Sequence, residues 1–190
     1  MNSEAKENRA IARMVRVDHA GERGAVRIYE GQMAIFRHLP HKRRFMDMLG
    51  EMLEGEQTHL SKFEKQIVMR QVRPTAMLPL WDVAGFALGA VTALMGERAS
   101  MACTEAVEDV IEAHYGRQVE AMDVMIEQAE GQDGAEREDF RALLAECRED
   151  EAHHRERAIA EGAKEAPAYD VLSSVIKAGC RLAIRISERI

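Results

Sequence analysis

Aromatic residues are scarce in this chain, at 5% of its 190 positions, and only one of them is Trp. Thr is also sparse, whereas Ala, Met, Leu, Glu and Arg are abundant. Strands favour aromatic and β-branched side chains, and helices favour the abundant types. The composition therefore predicts an all-α fold and argues against a β-rich one.

Three further shortages exclude classes of protein. The cysteines, Cys103, Cys147 and Cys180, are few, widely spaced and form no CxxC pair, so we expect buried reduced thiols and no disulfide framework. No Lys/Arg tract stands out and the formal charge is −7, which argues against nucleic acid as a partner. The first ten residues, MNSEAKENRA, lack an apolar segment, so we expect no secretory signal.

A long apolar run is missing as well. The longest one, Val83 to Met95, has 13 residues and follows Pro79 and Asp82, whereas a membrane-spanning helix needs about 20. We therefore predict no span. Three interpretations stay open: a crossover packed on the protein, with Gly85 and Gly89 allowing close approach, a segment lying in a membrane surface, or a face for a partner protein.

Only four prolines occur, and helix interiors exclude proline, so these positions divide the chain. The pattern predicts a ferritin-like four-helix bundle in one domain over residues 1–190, made of two helical hairpins with a long apolar crossover helix and an extra C-terminal helix. The predicted segments are Ser3–Leu39, His41–Arg70, Met77–Leu94, Ala99–Glu130, Ala135–Lys164 and Asp170–Arg189, with Gly131 and Gly134 marking a break.

Acidic and histidine residues interrupt apolar stripes of the predicted helices. Two overlapping acid-x-x-His pairs occur in EDEAHH, namely Asp150 with His153 and Glu151 with His154. The second pair continues an apolar stripe, whereas the first belongs to a polar one, so we predict that Glu151 and His154 face inward. The inward stripes of helices two and five read Phe45, Leu49, Met52, Glu56, His59, Phe63 and Leu143, Cys147, Glu151, His154, Ala158.

The first and fourth helices add inward acids, Asp18 and Glu22 on one and Glu108 on the other. A single Glu on such a stripe is more often an edge residue whose carboxylate reaches solvent. Four helices with converging carboxylates and two Glu-x-x-His pairs, however, would repel strongly unless cations neutralise them. This set predicts a carboxylate-bridged site for two iron or manganese ions, because zinc prefers closed N/S sites.

At these residues the chain resembles the demethoxyubiquinone hydroxylase family, the di-iron enzymes of late ubiquinone biosynthesis, and looks like a bacterial member. The resemblance covers nearly the whole chain. It rests on VDHAGERGAVRIYEGQM, EGEQTHLSKF, VRPTAMLPLWDVAGFALGA, ACTEAVEDVIEAHY, DEAHH and EAPAYDVLSSVIKAGCRLAIRISERI.

The resemblance implies six iron ligands, with two glutamates bridging the ions, Glu56 and Glu151. Around them it implies a His-Tyr pair, His114 and Tyr115, and we expect Asp18, one turn before Glu22, to orient a ligand histidine. The six implied ligands are Glu22, Glu56, His59, Glu108, Glu151 and His154.

The implied activity is hydroxylation of a demethoxyubiquinone ring by a monooxygenase that uses two Fe ions and O₂. NADH is the implied electron donor, although the chain has no GxGxxG fingerprint. The substrate is a polyprenylated quinone, so we expect peripheral attachment to the cytoplasmic face of a bacterial membrane, and a lipid-binding accessory protein is an implied partner. Candidate substrate or membrane contacts are Leu80, Trp81, Phe86 and Leu88.

Two other functions remain open from the sequence. A ferritin-like ferroxidase or iron-handling protein would use the same ligands but would not need the apolar crossover. A membrane-surface scaffold of the ubiquinone pathway would hold iron only for structure.

Overall fold

A computed structural model describes residues 3–127 and 132–190, and this part of the chain is helical without any strand, so the all-α prediction is confirmed. Short 3₁₀ turns occur at Pro40–Lys42 and Ala163–Glu165. The α-helices are α1 Ser3–Phe36, α2 Arg43–Met69, α3 Leu78–Leu94, α4 Glu97–Glu127, α5 Gln132–Ala160 and α6 Tyr169–Ser187.

The helix ends correct several predicted boundaries. Helix α1 ends at Phe36 rather than Leu39, because the residue before Pro40 is restricted and Leu39 is extended (φ −112°, ψ 90°). Helix α5 ends at Ala160 rather than Lys164, where Gly162 takes a left-handed φ of 91°. Gly134 does not break the chain but lies in the first turn of α5. The predicted limits Glu130 and Gly131 fall outside the described residues.

The helices pair as two hairpins, α1 with α2 and α4 with α5, while α3 packs on α1 and α6 packs on α4. This pairing is consistent with the predicted ferritin-like bundle with a crossover helix and an extra C-terminal helix. All three cysteines are free thiols, as expected, but Cys180 is only half-buried.

The crossover helix α3 touches α1 at the backbone through glycines. A Cβ added to Gly89 would lie 2.0 Å from the carbonyl oxygen of Ile28, and one added to Gly85 would lie 2.9 Å from that of Gly24. From the other side, a Cβ on Gly31 would lie 2.2 Å from the carbonyl oxygen of Phe86. The predicted close approach through Gly85 and Gly89 is therefore confirmed.

The opposite side of α3 is open to solvent and carries Leu80, Val83, Val91 and Leu94. Among residues 3–127 and 132–190, no helix is long and apolar enough to cross a membrane.

Two of the three apolar clusters lie on opposite sides of a polar layer in the bundle. On α2, one cluster ends at Met52 and the other begins at Phe63. On α5, one cluster ends at Cys147 and the other begins at Ala158. The same division occurs on α1 and α4. The inward acids and histidines therefore lie between two layers of apolar side chains, and water is kept from them along the bundle axis.

Candidate metal centre

Six buried side chains from four helices converge in this polar layer and form two overlapping groups of donors. Within each group, one donor atom per residue lies within 4.8 Å of all the others. Glu56 and Glu151 belong to both groups. The groups are Glu22, Glu56, His59, Glu151 and Glu56, Glu108, Glu151, His154.

Helical periodicity explains the convergence. Glu56 and His59 on α2, like Glu151 and His154 on α5, are three residues apart and so share one face of their helix. As predicted, Glu151 and His154 are buried, whereas Asp150 and His153 are exposed.

Helix α4 carries two buried glutamates one turn apart, and only one of them joins the cluster. Glu108 belongs to the second donor group, as the stripe indicates. Glu105 is also buried, but its Oε1 atom lies 3.5 Å from the Nζ atom of Lys177 on α6. The two residues thus offer a comparison between a glutamate inside the centre and one beside it.

Both histidines turn their Nδ1 atoms toward the carboxylates. Nδ1 of His59 lies 3.2 Å from Oε1 of Glu151 and 3.6 Å from Oε2 of Glu22. Nδ1 of His154 lies 3.0 Å from Oε1 of Glu56 and 3.5 Å from Oε2 of Glu151. The Nδ1 atoms are therefore the ones placed to bind a cation.

Many of the buried donor atoms have no hydrogen-bond partner among the described residues. The atoms are Oε2 of Glu22, Glu108 and Glu151, both carboxylate oxygens of Glu56, and Nδ1 of His154, which approaches Glu56 without hydrogen-bond geometry. Buried polar atoms are nearly always hydrogen-bonded. Divalent cations would supply the missing partners, so these residues fit a metal centre.

Charge in the cluster is unevenly distributed when no cation is bound. Burial raises the pKa of Glu56 and Glu108 well above the ordinary range, and the negative charge of Glu151 adds to this rise. Burial also raises the pKa of Glu22. For Glu151, the neighbouring imidazoles of His154 and His59 outweigh burial and lower the pKa to about 2. The pKa values of three of the four glutamates are therefore raised, and a cation would compete with protons for these carboxylates.

Two tyrosines tie the hairpins together at the centre. Tyr29 on α1 donates its hydroxyl to Oε1 of Glu108 (3.3 Å), and Tyr115 on α4 donates to Oε1 of Glu22 in a short contact. Tyr115 thus lies beside the cluster, as expected from the sequence. Tyr29 was missed, although each tyrosine follows the glutamate of its own helix by two turns.

Asp18 has partners other than a ligand histidine. It accepts a hydrogen bond from Nε2 of Gln118 (2.9 Å), and Nε2 of His114 lies 3.3 Å from the same oxygen. His114 contacts Gln118 as well. The expectation that Asp18 orients a ligand histidine was wrong, because its side chain reaches α4 and not the inward faces of α2 and α5.

The residue that does contact a ligand histidine is Asp150, whose Oδ2 atom lies 3.0 Å from Nε2 of His59. The stripe pattern placed Asp150 on the polar face of its helix, so no contact between Asp150 and His59 was predicted. Its position directly before Glu151 was the feature of the sequence that could have indicated this contact.

The four candidate substrate or membrane residues lie in different surroundings. Leu80 is exposed, whereas Trp81 donates its indole N–H to the hydroxyl of Ser187 on α6 (3.0 Å). The Cζ atom of Arg27 lies over the ring of Phe86, 4.9 Å from the ring centroid. Leu88 packs with buried residues of α1, α4 and α6.

The fold and this cluster define a helical-bundle protein with a buried carboxylate–histidine centre. Residues 9–187 match the family model described as ubiquinone biosynthesis protein COQ7. The "3-demethoxyubiquinol 3-hydroxylase" of Rhodospirillum rubrum is 46% identical, and the alignment covers 95% of this chain and 78% of that protein. The "NADPH-dependent 3-demethoxyubiquinone 3-hydroxylase, mitochondrial" of Homo sapiens is 43% identical, with the same coverage.

A yeast relative, the "5-demethoxyubiquinone hydroxylase, mitochondrial" of Saccharomyces cerevisiae, is 39% identical over 95% of this chain and 78% of its own length. The chain therefore belongs to the ubiquinone biosynthesis protein COQ7 family, and the resemblance found in the sequence is confirmed.

Proposed function

We propose that residues 1–190 form one di-iron carboxylate domain. The observation that carries the proposal is the pair of overlapping donor groups, which share Glu56 and Glu151 and contain unpartnered buried oxygens. Glu22 and His59 would hold one ion and Glu108 and His154 the other, with the two shared glutamates serving both. Carboxylates with only two imidazoles suit iron better than zinc.

We further propose that the protein is a monooxygenase that hydroxylates the ring of demethoxyubiquinol. The names of the Rhodospirillum and human relatives support this substrate. The reaction converts one ring C–H bond to C–OH with one atom of O₂, while two electrons and two protons reduce the other atom to water. Bound iron supplies the redox chemistry that activates O₂.

The chain itself would hold the carboxylates in place and exclude water. The hydroxyls of Tyr29 and Tyr115 fix one oxygen of Glu108 and of Glu22, each from the opposite hairpin. The apolar clusters on both sides of the polar layer keep solvent from the reacting groups.

For the electrons, we propose a nicotinamide nucleotide, as the name of the human relative suggests. A cavity of about 620 Å³ between α1, α4 and α6 supports this proposal, because it has more cationic than acidic side chains and so suits phosphate groups. His114 and Gln118 also line it and contact Asp18, one turn before Glu22. The four arginines are Arg13, Arg117, Arg181 and Arg185. Arg181→Ala should raise the KM for NADPH and leave the iron content unchanged.

We also propose that the protein works at a membrane surface, which in a bacterium is the cytoplasmic face of the cell membrane. Helices α3 and α6 touch through side chains, since Trp81 donates a hydrogen bond to Ser187 and Leu88 packs with residues of α6. Their outer sides expose two apolar rows, Leu80, Val83, Val91, Leu94 and Val171, Val175, Leu182. Such a surface would let a polyprenylated quinone enter from the bilayer or from a lipid-binding accessory protein.

The first experiment compares two buried glutamates of α4. Iron-loaded protein would receive demethoxyubiquinone, NADPH or NADH, and ¹⁸O₂, and mass spectrometry would follow the quinone. Glu108→Gln should abolish incorporation of one ¹⁸O atom and lower the iron content. Glu105→Gln, a control at an equally buried position outside the donor groups, should retain both.

The two rival functions predict different results, one in this assay and one in cells. A ferroxidase would oxidise Fe²⁺ while the quinone stays unchanged. If the protein were a scaffold with structural iron, the Glu108→Gln variant would still support the ubiquinone pathway in cells. Either result would contradict the proposed monooxygenase.

A further inference from the structure

The two halves of the metal centre differ in the residue that contacts the Nε2 atom of the histidine. Helices α2 and α5 each carry a Glu-x-x-His pair, and each glutamate is directly preceded by a residue that faces the other helix. This residue is Gly55 before Glu56 and Asp150 before Glu151. Related positions of the two hairpins therefore hold a residue without a side chain in one case and a carboxylate in the other.

The carboxylate of Asp150 contacts His59 on the side of the ring that faces away from the cluster. Its Nδ1 atom faces the cluster, and its Nε2 atom lies 3.0 Å from Oδ2 of Asp150. A neutral imidazole that donates Nε2–H to Asp150 keeps the lone pair of Nδ1 free for a cation. The hydrogen bond thus selects both the tautomer and the orientation of the ring.

His154 has no such support. Its Nδ1 atom also faces the cluster, but its Nε2 atom faces Gly55, where an added Cβ would lie 3.3 Å away. In the part of the chain that the structure describes, no carboxylate pairs with Nε2 of His154. The imidazole of His154 is also more exposed than that of His59, 11% against 2%.

The seam between α2 and α5 shows the same asymmetry. Above and below the histidines, ion pairs bridge the helices: Glu51 with Arg157 at 2.7 Å and Lys62 with Glu146 at 2.9 Å. The contact of Asp150 with His59 is a third bridge of similar length. At the level of Gly55 the described residues place no carboxylate behind the Nε2 atom of His154, and the imidazole of His154 stays partly exposed.

We infer that Asp150 is a positioning residue for His59 and that it makes the two metal positions unequal. The position of Glu22 and His59 binds its ion first and more tightly, because the ligand is pre-oriented and its donor strength is raised by the carboxylate. The position of Glu108 and His154 binds second and exchanges more readily with solvent. This inference rests on the proposed function only in taking the six residues as metal ligands.

The test uses the full-length chain and Co²⁺, followed by calorimetric titration. Wild-type protein should bind two ions in two steps of unequal affinity. Glu22→Gln should remove the tighter step and Glu108→Gln the weaker one, which assigns the steps to the two positions. Asp150→Ala should weaken the tighter step about 10- to 100-fold and leave the weaker one unchanged. Asp150→Asn, which keeps a neutral acceptor oxygen, should cause a smaller loss.

Glu146→Gln is the matched control. Glu146 lies on the same helix and seam, is similarly exposed (58% against 52% for Asp150), and contacts Lys62 rather than a histidine. It should leave both steps unchanged. In the NMR spectrum of the Co²⁺ protein, the exchangeable Nε2–H signal of His59 should persist in Glu146→Gln and disappear in Asp150→Ala.

Several results would overturn the inference alone. They are two steps of equal affinity, an unchanged tighter step in Asp150→Ala with normal helicity, or an equal loss in Glu146→Gln. Wild-type protein that binds fewer than two Co²⁺ ions would overturn the proposed metal centre and the inference with it.

Discussion

Replacing Gly89 by alanine isolates the close contact between the crossover helix α3 and α1. The new Cβ would lie 2.0, 2.8 and 3.0 Å from the O, C and Cα atoms of Ile28. All three are backbone atoms, so no rotamer change can relieve the overlap. Because Cβ atoms essentially never lie within 3.0 Å of other heavy atoms, the two helices would have to separate by about 1 Å.

Two opposing effects decide the magnitude. Alanine is better than glycine in a helix interior by about 1 kcal/mol, which alone would stabilise the protein. Overpacking costs about 1–3 kcal/mol, and a collision of backbones belongs at the upper end of that range or beyond it. We therefore expect Gly89→Ala to lower the free energy of unfolding by about 2 kcal/mol, which corresponds to a fall in Tm of about 4–8 °C.

The assay is urea unfolding followed by far-UV circular dichroism, with the metal content held equal between variants. Gly50→Ala is the control, because no described heavy atom lies within 4 Å of its added Cβ and α2 continues on both sides. That variant should gain about 0.5–1 kcal/mol. The opposite signs of the two substitutions test the packing argument. A Gly89→Ala protein as stable as the wild type would refute it.

Three further predictions concern the hairpin contact, the charge and the exposed face. Tyr115→Phe should cost about 1–3 kcal/mol of unfolding free energy, because Glu22 loses a buried donor; equal stability in thermal unfolding would contradict this. With a chelator present, the free energy of unfolding should fall as pH rises above about 4.5, by about 1.4 kcal/mol per pH unit for each proton involved. The reason is that the pKa values of Glu56 and Glu108 are raised, so the folded protein holds more protons than the unfolded chain. Urea titrations that show a rise would contradict this. Leu94→Asp, at a 72% exposed position, should reduce co-sedimentation with liposomes, whereas Val68→Asp on α2 should not; equal binding by both would contradict the membrane proposal.

Periodicity made much of the fold and most of the candidate centre predictable. A residue that continues an apolar stripe lies on the same face of its helix as that stripe, so the stripes predicted inward positions for Glu151, His154 and Glu108. Proline positions divided the chain correctly, since proline acts within its own turn. Helix ends were less predictable: Gly162 was overlooked as a stop, and Gly134 was mistaken for one.

Contacts between helices could not be predicted in this way, because they depend on the distance and rotation between elements that are far apart in sequence. Asp150 lies on an exposed face, and only the spacing of α2 and α5 brings its carboxylate to His59. The same packing turns Asp18 toward Gln118 and leaves Gly55 opposite His154. Helical periodicity therefore predicts which residues face inward, because a helix fixes the direction of each side chain. Which of these residues meet depends on how the helices pack, and this is visible in the folded protein alone.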